Sequence, residues 1–365
     1  MSTNFILVGG DFDNKGGKES GYINKFKEEF LKIKNLRHGF VCYNGGHIRT
    51  INEILNSLSM FDFEEDQIVL MWFPNISNSE GKVDIKARYP KLYLVSSKRN
   101  NNEYSIQELI QRGLKSKSNL FLTFSKIDNK TIVGRIYDPL GNLYEEGSNI
   151  SQIVKKLYSR ILDIVSYNRK SLNKIIKNPN EITIQNLFEF EKIVQDFGNR
   201  FHELIYGKAK IDRFLGNASC RCSFGFASVN LQNKTILCSP RNVDKKKLKI
   251  KDFVYVSGDD YYGDIKPSID APIHVKLYDF FNDLNYIIHS HVYIKDAPFT
   301  KERIPCGCLE EWEEIKMVCR YEGMNSIRTR KINLLGHGSI ILAKTLEDFK
   351  NIEFEARPMP EKVWR

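Results

Sequence analysis

The sequence predicts an α/β protein in two domains, and three observations carry that prediction. The chain has 365 residues, about twice the length of a common single domain. Its first half alternates strand-like and helix-like segments, the pattern of a largely parallel sheet layered with helices. A polar, basic stretch from Ser166 to Glu181, punctuated by Asn178-Pro179-Asn180, breaks the apolar periodicity and marks a boundary, because proline disfavours helix at the residue before it.

The first element is Phe5–Val8, a short apolar strand. It is followed by a loop from Gly9 to Gly17 and a helix from about Tyr22 with Ile23, Phe26, Phe30 and Leu31 on one face. Further strands are expected at 39–43, 67–73, 91–96 and 120–124, with helices at 48–58 and 105–114 between them. Thr131–Tyr144 fits a hairpin turning at Pro139-Leu140-Gly141-Asn142. A helix over 150–165 closes this domain, which is Rossmann-like in its alternation and spans residues 1–168. Residues 169–182 are expected to be a linker, and a helix over 183–206 opens the second domain, 183–365.

Composition narrows the function. Hydrophobic residues make up 41% and charged residues 27%, a globular balance that fits neither a disordered nor a membrane chain. No run approaches the roughly 18–20 apolar residues of a transmembrane helix. The early Phe5–Val8 run ends at Gly9, too short for a signal-peptide core, so a cytoplasmic location with no membrane partner is expected. The net charge of +10 favours anionic partners, with phosphorylated small molecules ahead of nucleic acid. Lys245-Lys246-Lys247-Leu248-Lys249 is expected to be a solvated face. In the first domain, Gly9-Gly10…Gly16-Gly17, Gly45-Gly46-His47 and Ser96–Asn100 lie where strand ends would be. They could form a nucleotide or phosphate pocket or be ordinary turns; neither the dinucleotide fingerprint nor the P-loop spacing is present.

The second domain holds the chemistry. Tyr286–Ile294 contains His289-Ser290-His291 in strand-like composition, and residues two apart in a strand share a face. Two imidazoles could thus meet one ion or simply pack. His337 follows in Leu335-Gly336-His337-Gly338, where glycines permit close backbone approach. Three histidines with an open position describe a catalytic metal site. Upstream, Asp270 stands at the start of a helix with Ile273, Leu277, Phe280, Phe281 and Leu284 at helical spacing. It could be a helix cap or a proton-transferring carboxylate. Cys220, Cys222, Cys306 and Cys308 form two Cys-x-Cys units that could gather as a second, structural zinc site or be small buried residues.

Taken in order, Gly216-Asn217-Ala218-Ser219, Leu237-Cys238-Ser239-Pro240, Lys266-Pro267-Ser268-Ile269-Asp270, His289-Ser290-His291 and Leu335-Gly336-His337-Gly338 resemble the motifs of the class II aldolase/adducin family over about residues 183–355. The acidic residue stands 19 positions before His289, as in that family. The resemblance implies a class II aldolase-like α/β/α domain with a central, mainly antiparallel sheet, assembled into homo-oligomers, most often tetramers. It implies Zn2+, or Mn2+, Co2+ or Fe2+, on His289, His291 and His337, with Asp270 as proton shuttle. It places Gly216, Asn217, Ser239 and Ser268 around a substrate phosphate. Ile269 and Arg241 depart from the family pattern, and Arg241 could supply a guanidinium contact to that anion or equally be an exposed side chain. Family members use a tyrosine as acid; no tyrosine follows Tyr321, and Tyr293, expected on the site-facing side of its strand, is a candidate for that role or a core-packing residue. The resulting expectation is an aldolase or epimerase working by retro-aldol chemistry through a metal-stabilised enediolate. Dehydratase or decarboxylase chemistry and a non-catalytic, adducin-like scaffold are the alternatives.

Overall fold

A computed structural model describes residues 2–33, 39–63, 65–77, 84–100, 105–127, 131–176, 187–206, 213–222, 235–321 and 329–355. The chain forms two compact units, Met1–Ser166 and Tyr167–Arg365.

The first unit contains, in order, β1 (Ser2–Asp13), α1 (Gly21–Leu31), β2 (Phe40–His47), α2 (Ile48–Ser57), β3 (Asp66–Ile76), α3 (Ile85–Arg88), β4 (Tyr93–Asn100), α4 (Ile106–Ser116), β5 (Leu120–Lys126), β6 (Ile132–Tyr137), β7 (Leu143–Gly147) and α5 (Ile150–Ser166). The sheet order is β2-β1-β3-β4-β5-β6-β7; the first five strands are parallel and the last two antiparallel. This is the Rossmann-like layer arrangement expected from the alternation. β1 shows why it is stable. Phe5 and Leu7 pack with Phe26 and Phe30 of α1 and Leu157 of α5, while Ile6 and Val8 pack with Ile51 and Leu55 of α2 on the opposite face. A strand buried on both faces is the hallmark of a parallel sheet.

The strands run further than the apolar pattern suggests. Gly9 to Asp13, expected as a loop, continue β1 and pair with β3 as far as Phe12↔Ile76. Gly45-Gly46-His47 likewise lie inside β2, and Ser96–Asn100 inside β4. Glycine permits this: β1 carries a bulge between Gly9 and Phe12, with Gly10 at φ +80 and Gly45 at φ +70. The amides expected to face a phosphate are partly spent internally, with Gly17 N donating to Gly46 O and Lys15 N to the Asp13 carboxylate.

The second unit comprises β8 (Asn173–Ile175), α6 (Leu187–Tyr206), β9 (Asn217–Arg221), β10 (Thr235–Cys238), β11 (Val254–Ser257), β12 (Asp260–Tyr262), α7 (Ala271–Phe280), β13 (Tyr286–Ser290), β14 (Tyr293–Ile294), α8 (Glu310–Tyr321), β15 (Thr329–Leu334), β16 (Gly338–Ala343) and β17 (Phe354–Glu355). Its main sheet has the order β15-β16-β13-β9-β10-β11-β12-β8 and is antiparallel except at β12·β8. Residues 173–175, inside the stretch expected as a linker, are therefore an edge strand, and Arg169 bridges to Cys308. The start expected for α6, 183–186, lies outside the described residues. One sheet face is covered by α7 and α8 through Ile273, Leu277, Ile315 and Val318. Phe190 of α6 packs tilted against Tyr286, and Phe197 meets Phe349 edge to face.

The basic run at 245–249 is not uniformly solvated. Lys245 is buried and its Nζ donates to Phe214 O at 3.3 Å. Burial lowers its pKa to about 8. Among the described residues no helix is long and apolar enough to cross a membrane.

Candidate metal centre

β13 is the strand on which the site is built. It lies between β16 and β9, with His289 opposite Ile340 on one side and Asn217 on the other. Its backbone is gripped by glycines from both neighbours. A Cβ on Gly216 (φ +78) would lie 2.7 Å from His289 O, and one on Gly338 (φ +152) only 1.9 Å from Ser290 O. The close approach expected from the Gly-His-Gly sequence is therefore present.

His289 is the penultimate residue of β13, His291 follows directly after the strand, and His337 comes from the turn joining β15 to β16. That turn is closed by His337 N donating to Leu334 O at 2.9 Å, with Gly336 at φ +76, as a type II turn requires. The three rings form a near-equilateral triangle, with centroids 4.9, 4.6 and 4.8 Å apart. All three are buried, and one ring nitrogen from each lies within 4.8 Å of the others.

Hydrogen bonds assign the protons. His289 Nδ1 sits 2.9 Å from Ser339 O, and a carbonyl can only accept, so the proton is on Nδ1 and Nε2 carries a lone pair. His337 Nδ1 is 2.5 Å from Glu311 Oε1; an ionised carboxylate there accepts from Nδ1–H and gives the same tautomer. His289 Nε2 is buried and takes no hydrogen bond. A basic ring nitrogen held in that state beside two further imidazoles is what a histidine-ligated cation needs, so this residue set fits a divalent ion.

Glu311 was not distinguishable in sequence, since it sits in the run Glu310-Glu311-Trp312-Glu313-Glu314 at the start of a helix, where acids are common. Its role depends on a tertiary contact 26 residues away.

Asp270 occupies the N-terminal position of α7 but makes no side-chain cap. Its carboxylate instead accepts from Asn217 Nδ2 at 2.7 Å and lies 3.5 Å from Cys306 Sγ. The net shift of its pKa is downward. Burial does push it up, yet His289, His337 and His274 together with the Cys306 hydrogen bond outweigh that.

The expected anion residues are brought into one ridge. Ser239 N donates to Ala218 O, Ser268 N to Ser239 O and Arg241 N to Lys266 O. Ala218 N donates to Ser239 Oγ, and Asp270 N to Ser268 Oγ. Ser239 and Ser268 are thus laced to each other and to Ala218, which follows Gly216-Asn217, and Arg241 is exposed at the end of the ridge.

Tyr293 lies outside β13. β13 ends at Ser290, so strand alternation no longer applies; Tyr293 belongs to β14, packs on Phe299, and its hydroxyl accepts from Gly336 N. It supports the His337 turn. Nor do the four expected thiols gather. Among the described residues no cluster of Cys220, Cys222, Cys306 and Cys308 forms; Cys220 and Cys222 are buried, and Cys308 accepts from Arg169 Nε at 3.4 Å.

Burial also holds two histidines neutral. It lowers His274, beside Ser219 at 2.8 Å, to about 4, and His289 to about 3, from an ordinary value of 6.5. The unfolded chain therefore binds protons that the folded chain refuses. Their contribution is complete above pH 6.5 and falls as the pH drops towards 4 and 3, by roughly 1.4 kcal/mol per pH unit for each group. Chelator-treated protein should show its thermal midpoint falling steadily from pH 6.5 to pH 5; a constant midpoint would contradict this.

Residues 201–351 match the class II aldolase and adducin N-terminal domain. That span contains His289, His291, His337 and Asp270, together with Gly216, Asn217, Ser239, Arg241 and Ser268. Solved structures are similar at low identity. An L-fuculose 1-phosphate aldolase is 18% identical, with 47% of this chain and 82% of that chain covered and a TM-score of 0.33. The L-fuculose-1-phosphate aldolase from Thermus thermophilus is 16% identical, with 43% and 79% covered and a TM-score of 0.28. A DNA/pantothenate metabolism flavoprotein from Streptococcus pneumoniae is 13% identical, with 44% and 99% covered and a TM-score of 0.31.

Proposed function

We propose that the second unit is a divalent-metal-dependent aldolase or epimerase acting on a phosphorylated sugar or related polyol. The observation that carries this reading is the triangle of buried imidazoles beside a carboxylate that is not spent on capping its helix. In this reading His289, His291 and His337 hold the ion, which when bound supplies Lewis acidity towards a substrate carbonyl.

The chain's own residues do the rest. Asp270, held below the ordinary carboxylate range, is anionic at neutral pH and therefore able to accept a proton from carbon. Asn217 Nδ2 steadies its Oδ2. Ser239 and Ser268 each accept a backbone N–H through their hydroxyl oxygens, so their O–H protons are left to donate to an anionic group. Arg241 adds a guanidinium at the exposed end of the ridge. Glu311 holds the His337 ring in register.

Titration of the full chain with zinc or manganese tests the metal reading. Near-stoichiometric binding is expected, with loss in His289→Ala and affinity weakened about 10–100-fold in Glu311→Gln. Loaded protein should then release an aldehyde from, or epimerise, a member of a phosphosugar panel. No bound ion, and no thermal stabilisation by either metal, would overturn the reading.

A further inference from the structure

We propose that Cys306 is a thiolate ligand of the same ion in the substrate-free protein, a fourth donor beside the three imidazole nitrogens that an incoming substrate oxygen would displace; this rests on the reading that the histidines hold a metal. The local sequence builds the position. Cys308 N donates to Pro305 O at 3.2 Å, closing a turn over Pro305-Cys306-Gly307-Cys308 with Gly307 at φ +78, the conformation a type II turn demands at its third residue. A Cβ on Gly307 would lie 2.6 Å from the Ile269 side chain, so the glycine lets the turn press against the residue next to Asp270.

Cys306 Sγ consequently lies 3.5 and 3.9 Å from the two Asp270 oxygens. Ligand atoms of Asp270, Cys306 and His337 fall within 4.8 Å of one another, as do those of His289, His291 and His337. His337 belongs to both sets, so the thiol and the other two imidazoles flank one ring. Metal–sulfur and metal–nitrogen bonds of about 2.3 and 2.0 Å put tetrahedral donors roughly 3.5 Å apart, inside the 4.8 Å within which each set lies. His289 Nε2, buried and without a hydrogen bond, independently marks where a cation would sit.

The neighbouring thiol is excluded, since Cys308 is engaged with Arg169. Asp270 is the other donor in reach, with its Oδ2 accepting from Asn217, and the cobalt spectrum separates sulfur from carboxylate ligation. Zinc, cobalt and ferrous ions favour thiolate over a second-choice carboxylate more than manganese does. Coordination replaces the S–H bond by a sulfur–metal bond and releases one proton to solvent, with no electron transfer.

Cobalt(II) substitution of the full chain reads the two parts separately. Visible d–d bands report the imidazole site, and a near-ultraviolet sulfur-to-cobalt charge-transfer band reports a thiolate. The native chain should show both. Cys306→Ser and Cys306→Ala should each lose the charge-transfer band and keep d–d bands, while Cys308→Ser keeps both. d–d bands without charge transfer in the native chain, or charge transfer that survives in the folded Cys306 variants, would overturn the thiolate and leave the histidine site standing. Absence of d–d bands would overturn both readings. Because the native spectrum alone can refute the proposal, it does not depend on either variant folding.

Discussion

Gly338→Ala is expected to destabilise the second unit by about 2–6 kcal/mol and to abolish ion binding. Two effects combine. The backbone at φ +152 is one that side chains rarely adopt, and the new Cβ would lie 1.9 Å from Ser290 O. Strain at such a position and overpacking each cost about 1–3 kcal/mol. The clash cannot be relieved by a side-chain rotation, because what stands opposite is the backbone between His289 and His291. β16 or β13 must move, and either motion separates His337 from the other two rings. In a unit of this size the thermal midpoint should fall by on the order of 10 °C. A variant with native melting and native zinc affinity would show that the glycine grip is not what sets the triangle.

The second large effect is on turnover. Asp270→Asn should lower kcat by about 10²–10⁴-fold while leaving zinc affinity near its native value, because the imidazoles are untouched and the amide oxygen can still accept from Asn217. The isosteric change removes the anionic form and little else, so a fall confined to kcat separates proton transfer from scaffolding. Activity within a few-fold of native would remove Asp270 from the chemistry.

The parts of this site legible in sequence are those whose signal is local. His-x-His and Gly-His-Gly announce themselves by residue type and spacing, and the glycines report a backbone need that only close approach explains. The alternation of the first unit was equally plain, because every strand buried on both faces is a continuous apolar run. What stayed hidden depends on contacts between distant segments. Glu311 is one acid among four in a five-residue run until α8 brings it to His337. Lys245 is one base in a basic run until Phe214 covers it. Cys306 suggested a thiol cluster by its proximity to Cys308, yet the turn at Gly307 points the two to different partners. In the first unit, glycines that look like loop punctuation instead allow a bulged strand to continue, and no local rule separates those outcomes.

The three residues Asn173–Ile175 bear on how the second unit can be isolated. They cover the outer edge of β12, pairing from Asp260 to Tyr262, and Lys174 reaches Asp264 at 2.8 Å. A fragment begun at residue 183, where helical periodicity resumes, would leave that edge bare, and an unpaired strand edge is a template for aggregation. A fragment begun at Tyr167 keeps the strand, the Arg169 bridge to Cys308 and the backbone hydrogen bond from Leu309 N to Asn168 O. The boundary for excision therefore lies before the polar stretch rather than after it.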